Sequence, residues 1–352
     1  MSARHPLRLA SDPGPVSRPT PPAPGSALRD SFGRIHNNLR ISVTDRCNLR
    51  CTYCMPENVT FQDRSELLTF EEIVAFVRVA VPLGVNKVRL TGGEPLMRKE
   101  LHKLVRLLTA VPGLTDIGLT TNGILLAEHA QELFNAGLRR LNVSLDTLDP
   151  ARFRSLTRRD GLERVLAGLE GAKRAGFSPI KVNTVAVRGF AEHDVVPLAR
   201  YCRANGFELR FIEYMPIGAE AWEREKVLFA SEILDRVQRG VGELVPTNHD
   251  PSSPSLDYAY SDGGGTVGII ASVSRPFCAS CNRLRLTADG KLRNCLFALD
   301  ETDVKVFLRQ ATIDELGIAN ALRTSVWTKW RGHEINTATF VKPDRTMHAI
   351  GG

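Results

Sequence analysis

The chain predicts an α/β fold built on a partial (β/α)6 barrel of the TIM type, followed by a smaller C-terminal domain that carries cysteines of its own. Two observations carry the barrel. Short apolar runs alternate with amphipathic helical stretches between residues 34 and 245, and that alternation implies a parallel sheet with helical crossovers. Polar and glycine-rich segments collect where the runs end, as in Thr91-Gly92-Gly93-Glu94-Pro95, Thr120-Thr121-Asn122-Gly123 and Ser144-Leu145-Asp146. Ligands of parallel α/β folds bind at these carboxyl ends. A third observation sets off residues 246–352: the alternation stops near residue 245, and a stretch rich in Pro, Ser and Gly, ending in Asp262-Gly263-Gly264-Gly265, leads into a hairpin pattern.

In chain order, residues 1–33 are rich in Pro, Ser and Gly, as in Pro19-Thr20-Pro21-Pro22, and are expected to form a disordered extension because they cannot bury a core. The same prolines argue against an amphipathic targeting helix. Strand-like runs then end at Thr44, Thr91, Thr121, Leu145, Val187 and Ile212. Helices are expected over 70–81, 101–108, 127–135, 162–175 and 195–204, with Gly84, Gly113, Gly137, Gly176 and Gly206 as their stops. Six βα units make about three quarters of a full eight-unit barrel. Beyond the linker, a strand is expected over 267–272 and a hairpin over 284–287 and 291–293, turning at Asp289-Gly290.

With 352 residues, 43% of them hydrophobic, the chain has room for one large and one smaller domain. No apolar run approaches the roughly 18 residues of a membrane span, and the N-terminus lacks a secretory layout, so no membrane partner is expected. The net charge of +7 suits an anionic partner. There is no lysine-rich tail and no aromatic-basic stripe, so a polyphosphate in a pocket is expected rather than nucleic acid.

Cys47, Cys51 and Cys54 form a C-x3-C-x2-C loop directly after the first strand. A cubane cluster takes four ligands, one per iron, so three cysteines leave one iron open to a substrate. A structural zinc loop prefers four closed ligands and paired C-x2-C spacing, and no fourth Cys or His lies nearby. A disulfide framework does not suit a large chain with seven cysteines. Reduced, metal-bound cysteines point to the cytoplasm.

A second triplet, Cys278, Cys281 and Cys295, flanks the hairpin with C-x2-C-x13-C spacing. Here a zinc site and a second cluster with an open iron both remain open. Arg283 and Arg285 alternate onto one face of the strand between them, where guanidinium forks suit phosphate or carboxylate, although a salt-bridged exposed strand would look the same. Cys202 lies in a helical pattern and reads as a buried free thiol.

The first triplet resembles the radical S-adenosylmethionine (SAM) superfamily. With Arg89 to Leu96, Leu119 to Gly123, Asn142 to Asp146, Phe211 to Met215, Cys278 to Arg285 and the terminal Ile350-Gly351-Gly352, the chain resembles, over residues 34–352, the GTP 3',8-cyclase family of molybdenum cofactor biosynthesis. The resemblance implies two [4Fe-4S] clusters, on Cys47, Cys51 and Cys54 and on Cys278, Cys281 and Cys295, the second in a C-terminal iron–sulfur domain. It implies a SAM site lined by Tyr53, Gly93, Ser144 and Met215. GTP would be surrounded by Arg40, Arg89, Thr120, Lys181, Arg283 and Arg285, with Lys87 and Arg210 as further contacts. Catalytic roles would fall to Arg283, Arg285 and the tail residues Gly351 and Gly352.

Each of these positions has an ordinary reading: a tight turn at Gly93, core at Met215, helix caps at Ser144 and Thr120, a snorkelling Lys181 and a frayed tail. The implied reaction forms a 5'-deoxyadenosyl radical that removes the C3' hydrogen of GTP, after which C3' bonds to C8. An electron donor of the flavodoxin or ferredoxin type and a following cyclic pyranopterin monophosphate synthase are implied partners, and a homodimer is compatible with the sequence. The other enzyme that two clusters suit is a radical SAM maturase acting on a peptide, and the non-enzyme alternative is a zinc or nucleic-acid binding protein.

Overall fold

The computed structural model describes residues 27–218, 222–247 and 250–351; residues 1–26 of the expected extension, and Gly352, lie outside them. The six expected strands are β1 (Asn38–Ser42), β2 (Lys87–Thr91), β3 (Asp116–Thr121), β4 (Arg140–Ser144), β5 (Ile180–Ala186) and β6 (Glu208–Glu213). They lie side by side in chain order and all pair in parallel. The connecting helices are α1 (Phe70–Ala80), α2 (Leu101–Thr109), α3 (Leu126–Asn135), α4 (Pro150–Thr157), α5 (Leu162–Arg174) and α6 (Val195–Asn205). The α/β fold on a (β/α)6 core is as the sequence predicts.

Local chemistry explains the helix ends. Thr69 and Glu72 close a reciprocal capping box on α1, at 3.1 and 2.7 Å. The helix α4, missed in sequence, starts where the Asp149 side chain accepts from Arg152 N at 2.9 Å and Pro150 fills the first turn. Gly206 closes α6 at φ +73°, a conformation that suits glycine.

The C-terminal residues extend the same sheet at both ends. After α7 (Ala230–Gly240) come β7 (Leu244–Pro246), β8 (Leu256–Tyr260) and β9 (Thr266–Ile270), and β9 pairs parallel to β6. At the other end β10 (Arg283–Leu286) pairs parallel to β1, followed by antiparallel β11 (Lys291–Arg293) and β12 (Thr302–Asp303). The chain ends through α8 (Lys305–Leu308), α9 (Glu315–Trp327) and α10 (Met347–Ile350). The twelve strands run β12-β11-β10-β1-β2-β3-β4-β5-β6-β9-β8-β7.

Alternation within the strands sends Leu39, Ile41, Val88, Leu90 and Leu119 into the main apolar core, which they share with helix residues such as Phe76, Leu104 and Leu169. The intervening residues face the other side. That side is the concave one of the partial barrel: β2 and β6 are four strands apart, about 19 Å in a flat sheet, yet the Arg210 charge still reaches Arg89.

The extension expected through residue 33 needs correction. Leu28 and Asp30 are buried, at 2% and 1% exposure, and Leu28 N donates to Leu83 O at 2.9 Å while His36 N donates to Leu28 O at 2.8 Å. Asp30 Oδ1 accepts from Phe32 N and Arg34 N, both at 2.9 Å. One apolar anchor and one aspartate turn outweigh the Pro-rich composition upstream.

Candidate active site

Strand register lines up the cations of the concave face. Arg285 on β10 stands opposite Arg40 on β1, Arg40 opposite Arg89 on β2, and Arg293 on β11 opposite Arg285. Arg89 neighbours Gly118 on β3, where a Cβ would come 3.3 Å from the guanidinium carbon, so glycine leaves room for Arg89 to lie across the sheet. The next level holds Thr120, Asn142, Lys181 and Glu208 in register, and the one above it Ser144, Asn183 and Arg210. Lys87 stands between Asn38 and Asp116.

Of these cations, Arg40, Arg89 and Arg285 form no ion pair among the described residues, whereas Arg293, Lys181 and Arg210 face Glu301, Glu208 and Asp257. Burial, then the neighbouring charges of Arg285, Arg283 and Arg89, pushes Arg40 well below the usual guanidinium range. Burial takes Arg89 and Arg285 down to about 10, aided by Arg140 at the first and Arg283 at the second. Lys181 is also lowered, by burial and by Arg210, although Glu208 pairs with it. Among the described residues, buried Arg40 Nε, Arg89 Nη1, Asn142 Oδ1 and Asn183 Oδ1 have no hydrogen-bond partner. Buried polar groups in this state are what an anionic, hydrogen-bonding ligand would satisfy.

The first cysteine loop sits above the C-terminal ends of β1 and β2. Arg50 N donates to Thr157 O at 2.9 Å and Thr52 N to Leu156 O at 3.0 Å, which pins the loop to the end of α4. Cys47 Sγ accepts from Leu49 N at 3.4 Å and from Asn122 Nδ2 at 3.8 Å. The glycine pair is explained by this loop: a Cβ on Gly92 would lie 2.6 Å from Thr44 O, and one on Gly93 2.4 Å from Arg46 O and 2.6 Å from Asp45 O. Burial pushes the Cys47 thiol up to about 11, with Glu94 adding to it, and the Cys54 thiol up to about 12, with Cys47 adding to it. The Cys51 thiol is also raised well above its usual value, by burial and by Cys54. Only a strong local positive charge, such as cluster irons, would hold all three as thiolates.

Three buried acids, given no role in the sequence reading, build this end of the barrel. Glu94 accepts from Thr121 Oγ1 and Asn122 N at 2.7 Å and from Leu96 N at 2.9 Å, and burial raises it to about 7. Asp146 accepts from Tyr53 Oη and Val185 N, both at 2.7 Å, so Tyr53 is tied to β4 and β5. Glu213, at the end of β6, accepts from Ala230 N at 2.9 Å and from Val273 N and Ser274 N at 2.8 Å. Met215 lies against a second apolar cluster containing Ile217, Phe297 and Ile350.

The second triplet borders β10 and β11. Cys278–Ser280 makes one helical turn, and Cys281 Sγ accepts from Arg283 Nη2 at 3.4 Å and from Lys329 Nζ at 3.3 Å. Burial opposes ionisation of Cys281, but the charges of Arg283 and Lys329 outweigh it and bring the thiol down to about 6. Among the described residues no three His, Cys, Asp or Glu side chains converge on one metal-ion position. A cubane does not ask for that, because each cysteine binds a different iron.

The tail joins the two halves. Gly351 is buried, its carbonyl accepts from Arg285 Nη1, and a Cβ on it would lie 2.9 Å from Ser42 Cβ and 3.0 Å from Thr91 Cγ2. The His348 backbone amide lies near Cys54 of the first loop and favours its thiolate. Arg345 holds the approach to the tail with a fork to Asp289, at 2.7 and 3.0 Å. The structure thus brings Arg40, Arg89, Arg285 and Gly351 onto one concave face, with the two triplets along its rim.

A curled parallel sheet with a three-cysteine loop after its first strand defines a radical SAM protein, and residues 41–202 match the Radical SAM superfamily. Residues 207–335 match Molybdenum Cofactor Synthesis C. A GTP 3',8-cyclase of Rhodopirellula baltica is 47% identical over 332 residues, covering 93% of this chain and 92% of its own. Another, of Mycobacterium sp. (strain KMS), is 48% identical over 342 residues, covering 96% of this chain and 97% of its own. The solved structure of anSMEcpe with bound AdoMet shares the fold, with a TM-score of 0.56 and 17% identity over 85% of this chain and 79% of that one. The chain belongs to the GTP 3',8-cyclase family.

Proposed function

We propose that the chain converts GTP to (8S)-3',8-cyclo-7,8-dihydroguanosine 5'-triphosphate, the first step of molybdenum cofactor biosynthesis. The observation that carries this reading, beside the family, is the register row of Arg285, Arg40 and Arg89, deficient in counter-charge, on strands whose ends lead into or out of the cysteine triplets. When bound, the first cluster would supply the electron for reductive cleavage of SAM and the second an open iron for the guanine base, chemistry that would remove the C3' hydrogen of GTP.

The protein residues hold the atoms. Cys47, Cys51 and Cys54 would carry the SAM cluster, and Cys278, Cys281 and Cys295 a second [4Fe-4S] cluster. Gly93, Ser144 and Met215 stand at the strand ends where SAM would lie, with Tyr53 bracing the loop through Asp146. Arg40, Arg89, Lys181 and Arg210 would neutralise the triphosphate, with Thr120 and Lys87 beside them. Arg283 and Arg285 would hold the substrate at the second cluster, with Gly351 and Gly352 closing the site. Positioning of this kind is the protein's share of such chemistry. In this division of labour residues 34–245 serve SAM and residues 246–352 the second cluster, although both parts contribute to one sheet.

A one-electron donor of the flavodoxin or ferredoxin type and a cyclic pyranopterin monophosphate synthase would act before and after it. A cytoplasmic setting suits the reduced cysteines, and among the described residues no helix is long and apolar enough to cross a membrane. The test is anaerobic turnover after reconstitution with iron and sulfide. With SAM and reductant, GTP should give 5'-deoxyadenosine and a cyclised guanosine triphosphate, both read by mass spectrometry. Deoxyadenosine without a GTP product would return the peptide maturase to consideration.

A further inference from the structure

Lys329 follows the last turn of α9 and is only 4% exposed. Its ammonium has three N–H groups and meets three acceptors: Cys281 Sγ at 3.3 Å, Arg283 O at 2.9 Å and His36 Nδ1 at 3.5 Å. His36 Nε2 lies 2.9 Å from Asp30 Oδ2, and a carboxylate only accepts. The ring proton is therefore on Nε2, and Nδ1 offers its lone pair to Lys329. Arg34 holds Asp30 at 2.5 Å and donates to Cys278 O at 2.6 Å, Trp330 O at 2.6 Å and Arg331 O at 2.8 Å. The folded segment 28–36 thus clasps both the Cys278 turn and the loop that carries Lys329. Of the three acceptors around the ammonium, only the Cys281 sulfur can bear negative charge. A buried ammonium needs such a partner to offset its lost hydration.

We propose that Lys329 is a positioning residue that sets the charge and reduction potential of the second cluster through Cys281, held in place by the His36–Asp30–Arg34 clasp. The inference rests on Cys278, Cys281 and Cys295 being cluster ligands. A hydrogen bond to a ligand sulfur and a buried cation beside it both favour the more negative, reduced cluster, so Lys329 raises the potential.

The test is a redox titration of the full-length reconstituted protein, followed by electron paramagnetic resonance. The signal of the first cluster is assigned by its loss in a Cys47→Ala, Cys51→Ala, Cys54→Ala protein. Lys329→Met and Lys329→Gln should keep iron on the second triplet. At the wild-type midpoint, their reduced-to-oxidised ratio should fall at least tenfold, about 59 mV for one electron. Lys329→Arg keeps the charge and should stay within about threefold of wild type.

An unchanged potential in the two neutral variants overturns the proposal. So does an equal shift in Lys329→Arg, which would remove charge as the cause. Loss of iron from both neutral variants would leave Lys329 a purely structural role. Wild-type protein with no iron on the second triplet would instead sink the two-cluster reading on which the inference rests.

Discussion

Arg285 joins three parts of the proposed site: it stands in register with Arg40, it donates to the Gly351 carbonyl, and it is 6% exposed beside the second triplet. Its loss should remove charge-assisted contacts to substrate while leaving the first cysteine loop intact. Arg285→Ala should lower kcat/KM for GTP by about 10- to 100-fold, the equivalent of one or two such hydrogen bonds. Cleavage of SAM to 5'-deoxyadenosine should continue in part, and normal cyclisation would refute the assignment. A different residue sets a pH dependence. His36 is fully buried, and burial, then the Lys329 charge, lowers it to about 4. A histidine with a depressed folded value favours the neutral form, so its stabilising contribution is complete above about 6.5 and is lost as pH falls towards 4. The effect can reach about 3 kcal/mol, at 1.36 kcal/mol per unit. Urea midpoints of the apoprotein between pH 7 and 4 should fall less steeply in His36→Gln, and parallel curves would show that His36 is not responsible. The cysteines and the Arg283–Arg285 pair are legible in sequence because spacing and alternation carry them. Lys329, His36 and Asp30 are not, because each stands alone in its local sequence and gains its meaning only from a partner across the fold.

The link between an element and its chemistry is plainest at the turn after β2. Gly92 and Gly93 suggest close approach to a ligand, and the structure shows the first close approach to be to the chain's own carbonyls at residues 44–46, the root of the cysteine loop. Gly93→Ala would force its Cβ to within 2.4 Å of Arg46 O, a contact that side chains do not make, so the loop must move. The expected result is loss of the first cluster with retention of the second, that is, about half the iron of wild type by chemical analysis. Full iron on the variant would show that the loop yields without losing its ligands. Helices α1, α2, α3, α5 and α6 are legible to within a residue or so of their ends because amphipathic periodicity and a following glycine mark each one. Helices α4, α7 and α9 escape that reading. The first has a polar character offset by Asp149 and Pro150, and α7 is held at its start by the buried Glu213 carboxylate of a distant strand. Strand β7 is the short edge strand and β8 lies between it and β9; both sit in a Pro- and Ser-rich context that reads as linker, and antiparallel pairing of β8 onto β9 and of β7 onto β8 makes them strands.

At the scale of the whole molecule, the linker composition near residue 245 suggests a boundary that the sheet does not respect. The two family matches meet between residues 202 and 207, so β6 belongs with the C-terminal match while pairing in the barrel with β5. On the other edge, β10 supplies the parallel partner of β1 from Asn38↔Arg283 to Ile41↔Leu286. A chain cut after residue 245 would keep β1 to β6 but lose β10 and β9 together. Both β1 and β6 would then be bare parallel edges, with backbone donors and acceptors unpaired and apolar Leu39, Ile41, Leu209 and Phe211 at the margins. The cut would also remove Arg285 and Arg293 from the arginine row and take away the tail that reaches Ser42 and Thr91. The expectation is that residues 1–245 alone aggregate or lack a cooperative transition, while the full apoprotein unfolds by urea in one transition seen alike by far-ultraviolet circular dichroism and tryptophan fluorescence. Trp222 packs with the second apolar cluster, and Trp327 and Trp330 lie in and after α9, so fluorescence follows the C-terminal packing while circular dichroism follows the whole sheet, and separate transitions would be visible if the parts were independent. A soluble 1–245 fragment with its own sharp transition, or two steps in the full chain, would show that the sheet joins two self-sufficient units. A single shared transition would mean that the arginine row is assembled only when both ends of the chain have folded.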